Sequence, residues 1–283
     1  MPARLIINAD DFGFSRAVTD GILHAHKNGV LTSTTLMTTM PDRDRAIDLA
    51  GQTPSLGVGI HLSLTQGTPL TACRKILTRD GRMIRSLPKL FLRLRSADAR
   101  RQAGDELLAQ IEYAKARGLV PTHVDSHKHV CHLPLLHGPL IAACQAAGVH
   151  WIRTAREARI PKTPPLPLAY RPLAVFAKTL ARRVAAAGLR TNDWFFGLAT
   201  TGGTTVSVYE ALAPYASERP DAEVAELMVH PGYLADISAS DTRLLQERIT
   251  ELEALTAART RAALEAARVP LSHYGGMGRG CNV

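Results

Sequence analysis

The sequence predicts an α/β fold, a TIM-like (β/α) barrel, and three observations point to it. Short apolar or β-branched runs alternate with longer helical patterns, which is the signature of parallel βα units. Six or seven such units, a full or slightly incomplete strand count, fit the 283 residues as one catalytic domain spanning 1–283. The polar residues capable of catalysis gather where the predicted strands finish, at the carboxyl ends where a parallel barrel carries its chemistry.

The first strand, Leu5-Ile6-Ile7, runs into Asn8-Ala9-Asp10-Asp11-Phe12-Gly13. A helix follows over 16–28, with Ser15 as N-cap and Gly29 as the residue after its end. Ser33 to Thr39 reads as a strand and Arg43 to Gly51 as a helix. In the third strand, Gly57 to Leu64, Val58, Ile60, Leu62 and Leu64 share one face and His61 takes the other. After a long basic segment come a helix at 98–117, a strand from Pro121 to His129, a helix at 134–147 and a strand from His150 to Thr154. A second basic segment leads to a strand from Glu226 to His230, a long helix at 239–268 and a last short strand within Ser272 to Met277.

Composition excludes several classes. With 46% apolar and 21% charged residues, and Gly and Pro dispersed, the chain is neither disordered nor collagenous. Cys73, Cys131, Cys144 and Cys281 form no C-x-x-C pair, so no disulfide framework or zinc ribbon is expected and a reducing compartment fits. Two carboxylates within eleven residues of Met1 leave no room for a secretory signal, and no run of about 18 apolar residues occurs. The expectation is a cytoplasmic protein, with a peripheral place on the inner membrane surface as its variant.

The stretch Thr122-His123-Val124-Asp125-Ser126-His127-Lys128-His129-Val130-Cys131-His132 is the most informative. Period-2 alternation would place His123, Asp125, His127 and His129 on one face of a strand. Burying so many polar groups without a function is costly, so this face should line a site. Asp10 and Asp11, His61, Arg153 and His230 sit at other strand ends, and barrel closure would bring all of these toward one mouth.

Four motifs carry a family resemblance: Asn8-Ala9-Asp10-Asp11-Phe12-Gly13, Gly59-Ile60-His61-Leu62, Thr122-His123-Val124-Asp125-Ser126-His127-x-His129 and Met228-Val229-His230-Pro231. In order and spacing the sequence resembles the YdjC-type carbohydrate deacetylases, which include chitooligosaccharide deacetylases and a hopanoid-associated branch. The resemblance covers about residues 4–64, 105–156 and 224–233, and it departs from the family at Cys131, where a histidine is usual. It implies a TIM-like barrel and a metal-dependent hydrolase that removes the acetyl group from an N-acetylated sugar, giving the free amine and acetate. The substrate would be an oligosaccharide containing N-acetylglucosamine, or a glycolipid. It also implies one divalent ion, on Asp11, His61 and His127.

Amide hydrolysis needs an activated water, a stabilised oxyanion and an acid for the leaving amine. A divalent ion meets the first two needs, and one carboxylate with two imidazoles leaves coordination positions open. The mixed donor set admits Mg, Mn, Co or Zn. Asp10 is then the candidate base, although adjacent residues leave open an exchange of roles with Asp11. His230, in a rigid His-Pro-Gly turn, is the candidate acid. Asp125 would orient a histidine, His129 would line the sugar site, and Arg153 would hold Asp10 or the substrate, or lie on the surface.

The net charge of +9 first suggests nucleic acid, but no nucleic-acid motif appears and only 5% of residues are aromatic. The excess is confined to two spans, 74–101 and 153–190, each with a net +8, which leaves the remainder acidic. They largely coincide with two basic insertions, about 74–101 and 157–200, that mix cations with apolar residues; these suit an anionic membrane, an oligomer contact or a solvated rim. The rival chemistry is a metal-dependent phosphoesterase, which Asp/His sites with a nearby Arg also suit. A basic membrane- or nucleic-acid-binding module is the non-enzymatic alternative.

Overall fold

The computed structural model describes residues 3–218 and 222–277, so Cys281 lies outside the described residues. The chain opens with β1 (Arg4–Phe12), buried from Leu5 onward, which is why that strand is a continuous apolar run broken only by site residues. Helix α1 (Arg16–Asn28) begins where predicted, with the Ser15 hydroxyl accepting from the Val18 amide at 3.3 Å. Its terminal Gly29 has φ −123°, so it is not the left-handed cap expected. A side chain there would sit 2.4 Å from the Leu255 carbonyl, and close approach is what demands glycine.

Next come β2 (Ser33–Leu36), α2 (Arg43–Gly51) and β3 (Gly57–Leu62), then α3 (Leu87–Leu94) and α4 (Ala97–Lys115). On α4, Ala99, Ala103, Leu107, Ile111 and Ala114 are buried at helical spacing. Strand β4 (Val124–Ser126) is shorter than the predicted 121–129 span, because Lys128 and His129 turn into the left-handed region at φ 53° each. The period-2 reading therefore ends at Ser126. A 3₁₀ turn at Pro134–Leu136 leads into α5 (His137–Ala147), which packs on α4.

The strand expected at 150–154 is reduced to single bridges, Val124 with Ile152 and Trp151 with Arg190. Helix α6 (Arg171–Ala186) follows, then β5 (Trp194–Phe196) and α7 (Val206–Ser217), two elements with no counterpart in the sequence reading. β5 is a sheet strand inside the span expected as an insertion. After β6 (Val224–Val229), the helix expected at 239–268 divides into α8 (Gln246–Thr256) and α9 (Ala258–Ala266). Ala257 is extended there (ψ 132°), and the Leu255 carbonyl accepts from the Val30 amide while α9 turns onto α7. β7 (Leu271–Ser272) pairs β1, followed by a 3₁₀ turn at Tyr274–Met277.

All named pairings are parallel, in the order β4-β3-β2-β1-β6-β5, and these six strands curve through about 230°. Isolated bridges at 151–152, 157 and 190 span the arc between β4 and β5. The result is an incomplete TIM-like barrel whose strands all deliver their carboxyl ends to one mouth. Cys73, Cys131 and Cys144 are free and buried, and no helix among the described residues is long and apolar enough to cross a membrane.

Candidate active site

At the end of β1 the pairing with β2 slips: Ala9 faces Thr34 and Phe12 faces Leu36, so two residues oppose one. Asp11 carries the slip at φ 72°, a left-handed conformation that costs most residues about 1–2 kcal/mol but that Asp tolerates best after Gly and Asn. In a regular strand Asp10 and Asp11 would point to opposite faces. The bulge turns both carboxylates into the mouth, where both line one cavity of about 540 Å³.

Three atoms converge there. Asp11 Oδ1 lies 3.6 Å from His61 Nε2 and 3.4 Å from His127 Nδ1, and this buried oxygen has no hydrogen-bond donor of its own. Each imidazole is oriented from behind. His61 Nδ1 donates to Asp125 Oδ1 at 2.7 Å, which leaves Nε2 as the lone-pair nitrogen of the neutral ring. His127 Nε2 donates to Gln66 Oε1 at 3.1 Å, and the Gln66 amide is fixed because its nitrogen donates to the Asp241 carbonyl at 2.8 Å. One carboxylate oxygen and two ring nitrogens thus present lone pairs to a common point, which is the donor set a divalent ion requires. Burial opposes charge on His61, but Asp125, Asp10 and Asp11 outweigh it and push its pKa up to about 9, so at pH 7 a proton sits on Nε2 and a divalent ion would bind there by displacing it.

A second group, Asp10, His61 and Asp125, also has ligand-like spacing, yet its cation is already present. The buried Arg153 guanidinium donates to both oxygens of Asp10 at 2.9 and 2.7 Å, lies 2.5 Å from Asp125 Oδ2 and donates through Nε to Glu226 Oε1 at 2.6 Å. Burial alone would raise the Asp10 pKa, but Arg153, with His61 and His230, holds it well below the usual carboxylate range. Of the alternatives for Arg153, it is the grip on Asp10 that the geometry contains.

Helix α8 supplies two more supports. Arg248 Nη2 donates to Asp11 Oδ2 at 2.6 Å, opposite the free oxygen, and Glu251 Oε2 accepts from the His230 amide at 2.5 Å. The His230 ring lies on the far side of the cluster, its Nε2 4.0 Å from Asp10 Oδ2. Burial pushes its pKa down to about 4 against the pull of Asp10 and Asp11, so the ring is neutral at pH 7. His129 reaches the cavity and meets Phe195 edge-on, while Asp125 stays behind the cluster. His123 does not reach it. It stacks on Tyr274 at 4.2 Å and sits against Gly59, where a side chain would come within 2.5 Å of its ring. Next to Cys131, His132 Nε2 accepts from the Ala155 amide at 2.9 Å and so braces the segment after Arg153.

The sequence reading gives no site role to Glu226, Arg248, Glu251 or Gln66. Glu226 had a signal, an acid in the middle of the apolar run Val224–Val229, where only a buried partner explains it. Arg248 and Glu251 had none, since charged residues three apart on a helix look like a solvated face.

The cavity rim adds Arg85, Lys128 and Arg243, together with Leu87, Tyr170, Leu198 and Met228. Three comparisons bear on this constellation. The family model described as YdjC-like protein matches residues 4–266. A carbohydrate deacetylase of Geobacillus stearothermophilus is 35% identical over 90% of each chain, and one of Brevibacillus brevis is 34% identical over 97% of this chain and all of its own. Among solved structures, a putative cellobiose-phosphate cleavage protein from Enterococcus faecalis V583 is 26% identical, with a TM-score of 0.80 over 99% of this chain and 100% of that one.

Proposed function

Because this chain belongs to the YdjC-like family, whose curated members matched above are named carbohydrate deacetylases, we propose that it is an enzyme of that activity, a hydrolase that cleaves the acetamide of an N-acetylated sugar with the help of one divalent ion. The observation that carries the reading is the convergence of Asp11 Oδ1, His61 Nε2 and His127 Nδ1, with the ionised Asp10 and the neutral His230 beside it. Asp11, His61 and His127 would hold the ion, which when bound acidifies water and polarises the acetyl carbonyl.

The protein's own groups do the rest. Asp10, kept ionised and in one orientation by the Arg153 fork, accepts the proton of the attacking water. That orientation, and the single Arg248 anchor on Asp11 Oδ2 that leaves Oδ1 free, support Asp10 as base and Asp11 as ligand over the reverse. His230 Nε2, 4.0 Å from Asp10 Oδ2, takes from Asp10 the proton that left the attacking water and delivers it to the departing amine, so the step consumes no further proton. Met228, Leu198 and His129 exclude water around the acetyl group and the ring. The substrate proposed is an N-acetylglucosamine-containing oligosaccharide or glycolipid, and Mg, Zn, Co and Mn all suit the donors.

A second reading, phosphate-ester cleavage, is favoured by the cations Arg85, Lys128 and Arg243 on the rim and by the printed name of the Enterococcus protein. Metal-loaded protein incubated with N-acetylated and phosphorylated disaccharides separates the two, since acetate is released in one case and phosphate in the other. Release of acetate that is lost on chelation and restored by a divalent ion is the expected result. His230→Ala should keep the metal and lose about 10²–10⁴ in turnover; an unchanged rate would remove the acid assignment.

A further inference from the structure

The two basic segments do more than surround the barrel: both reach the cavity mouth. Leu87, the first residue of α3, and Tyr170, just before α6, line the cavity, and α3 and α6 each pack against the turn at Pro134–Leu136. α3 buries Leu90 and Leu94 in the core and leaves Phe91 (39%) and Leu92 (62%) exposed. The second segment leaves Leu168 (70%) and Val175 (62%) exposed in the same way. Exposed cations accompany them in sequence, Lys89 and Arg93 on α3 with Arg95 just after it, and Arg171, Lys178 and Arg182 on α6. No acidic residue occurs between Asp80 and Asp98 or between Glu157 and Asp193.

A single exposed Leu means nothing, but four large apolar side chains and six cations, in two segments whose helices share a supporting turn, call for a partner. The chemistry selects among partners. A second copy meeting this face isologously would set cations against cations with no acid to answer them. A nucleic acid would use the cations and leave Phe91, Leu92, Leu168 and Val175 wet. An anionic bilayer satisfies both sets, with phosphates against Lys and Arg and the apolar tips in the acyl boundary.

We propose that the face formed by α3 and the Leu168–Arg182 stretch docks on an anionic lipid surface and brings the cavity mouth to the headgroup layer. The surface stands on its own residues, whatever reaction the cavity performs.

Flotation of the whole protein with phosphatidylcholine vesicles, with and without phosphatidylglycerol, tests it. Binding is expected only with the anionic lipid and should fall steeply with salt. Each cation contributes about fivefold, so Lys89→Gln with Arg93→Gln should weaken binding roughly 25-fold. Phe91→Ser with Leu92→Ser should weaken it at least about tenfold, with circular dichroism and turnover of a soluble N-acetylated sugar unchanged. Absence of binding to anionic vesicles, binding indifferent to both double substitutions, a dimer that those substitutions dissociate, or the same loss seen on duplex DNA but not on vesicles would each overturn the proposal. Vesicle binding and soluble-sugar turnover are read separately, so failure of one does not pass for failure of the other.

Discussion

Replacing Arg153 by Met tests the electrostatic centre of the barrel. The guanidinium is 1% exposed and is shared by Asp10, Asp125 and Glu226. Breaking one buried pair costs about 3–5 kcal/mol, because a desolvated charge is left behind. Three stranded carboxylates do not triple this. Asp125 keeps Thr35 and His61, Asp10 keeps the Asn8 amide, and Glu226 keeps the Tyr274 hydroxyl while burial already raises its pKa. A total near 4 kcal/mol follows, and at about 2–4 °C per kcal/mol for a chain of this size Tm should fall by roughly 8–16 °C. The loss must depend on pH. Without Arg153, burial is left to raise Asp10 and Glu226 above their unfolded values, so the folded variant binds more protons, and its stability rises as pH is lowered from about 7 to 5. The parent has the opposite tendency at lower pH, where Asp10, held well below the usual range, must be protonated before the fold loses its ion pair. Denaturant unfolding at pH 7 and pH 5, with chelator present, measures both. Adding Glu226→Gln should restore part of the loss, since the amide can still accept from Tyr274. A deficit below about 1 kcal/mol at pH 7, or the same deficit at both pH values, would refute the reasoning.

Asp125→Asn should lower metal affinity about 10–100-fold, because the amide must either set its NH2 against the Arg153 and Thr35 donors or turn it to His61 Nδ1 and remove that ring's anchor; isothermal titration with a divalent ion measures this. Burial raises the Glu251 pKa to about 7, above its unfolded value near 4.5, so the stability present below pH 4.5 is lost as pH rises to about 7, a change on the order of 3 kcal/mol. Glu251→Gln should flatten that slope in urea midpoints between pH 5 and 8, and parallel profiles would contradict it. Gly59→Ala should destabilise by about 1–3 kcal/mol and displace His123, since the new carbon would meet the His123 ring at 2.5 Å and its carbonyl at 2.7 Å; thermal unfolding reads the cost.

The sequence by itself determined the alternation from β1 to β3, the limits of α1 and α2, and the placing of Asp10, Asp11, His61, His127, His129 and His230 at the mouth. These depend on local patterning: apolar runs, caps, and polar residues at strand ends. Tertiary structure decided what local patterning cannot. β5 has only three residues, and its strand character comes from pairing with β6; the 239–268 helix breaks because the freed Leu255 carbonyl is needed by Val30. The bulge that turns Asp10 and Asp11 to one side arises from a register slip between two strands. The different partners of those two aspartates have the same origin, for Arg153 reaches Asp10 across 143 residues of chain and Arg248 reaches Asp11 across 237. A side chain's charge is written in the sequence. Its partner is set only when the barrel brings distant elements into a volume too dry for any of these charges to stand alone.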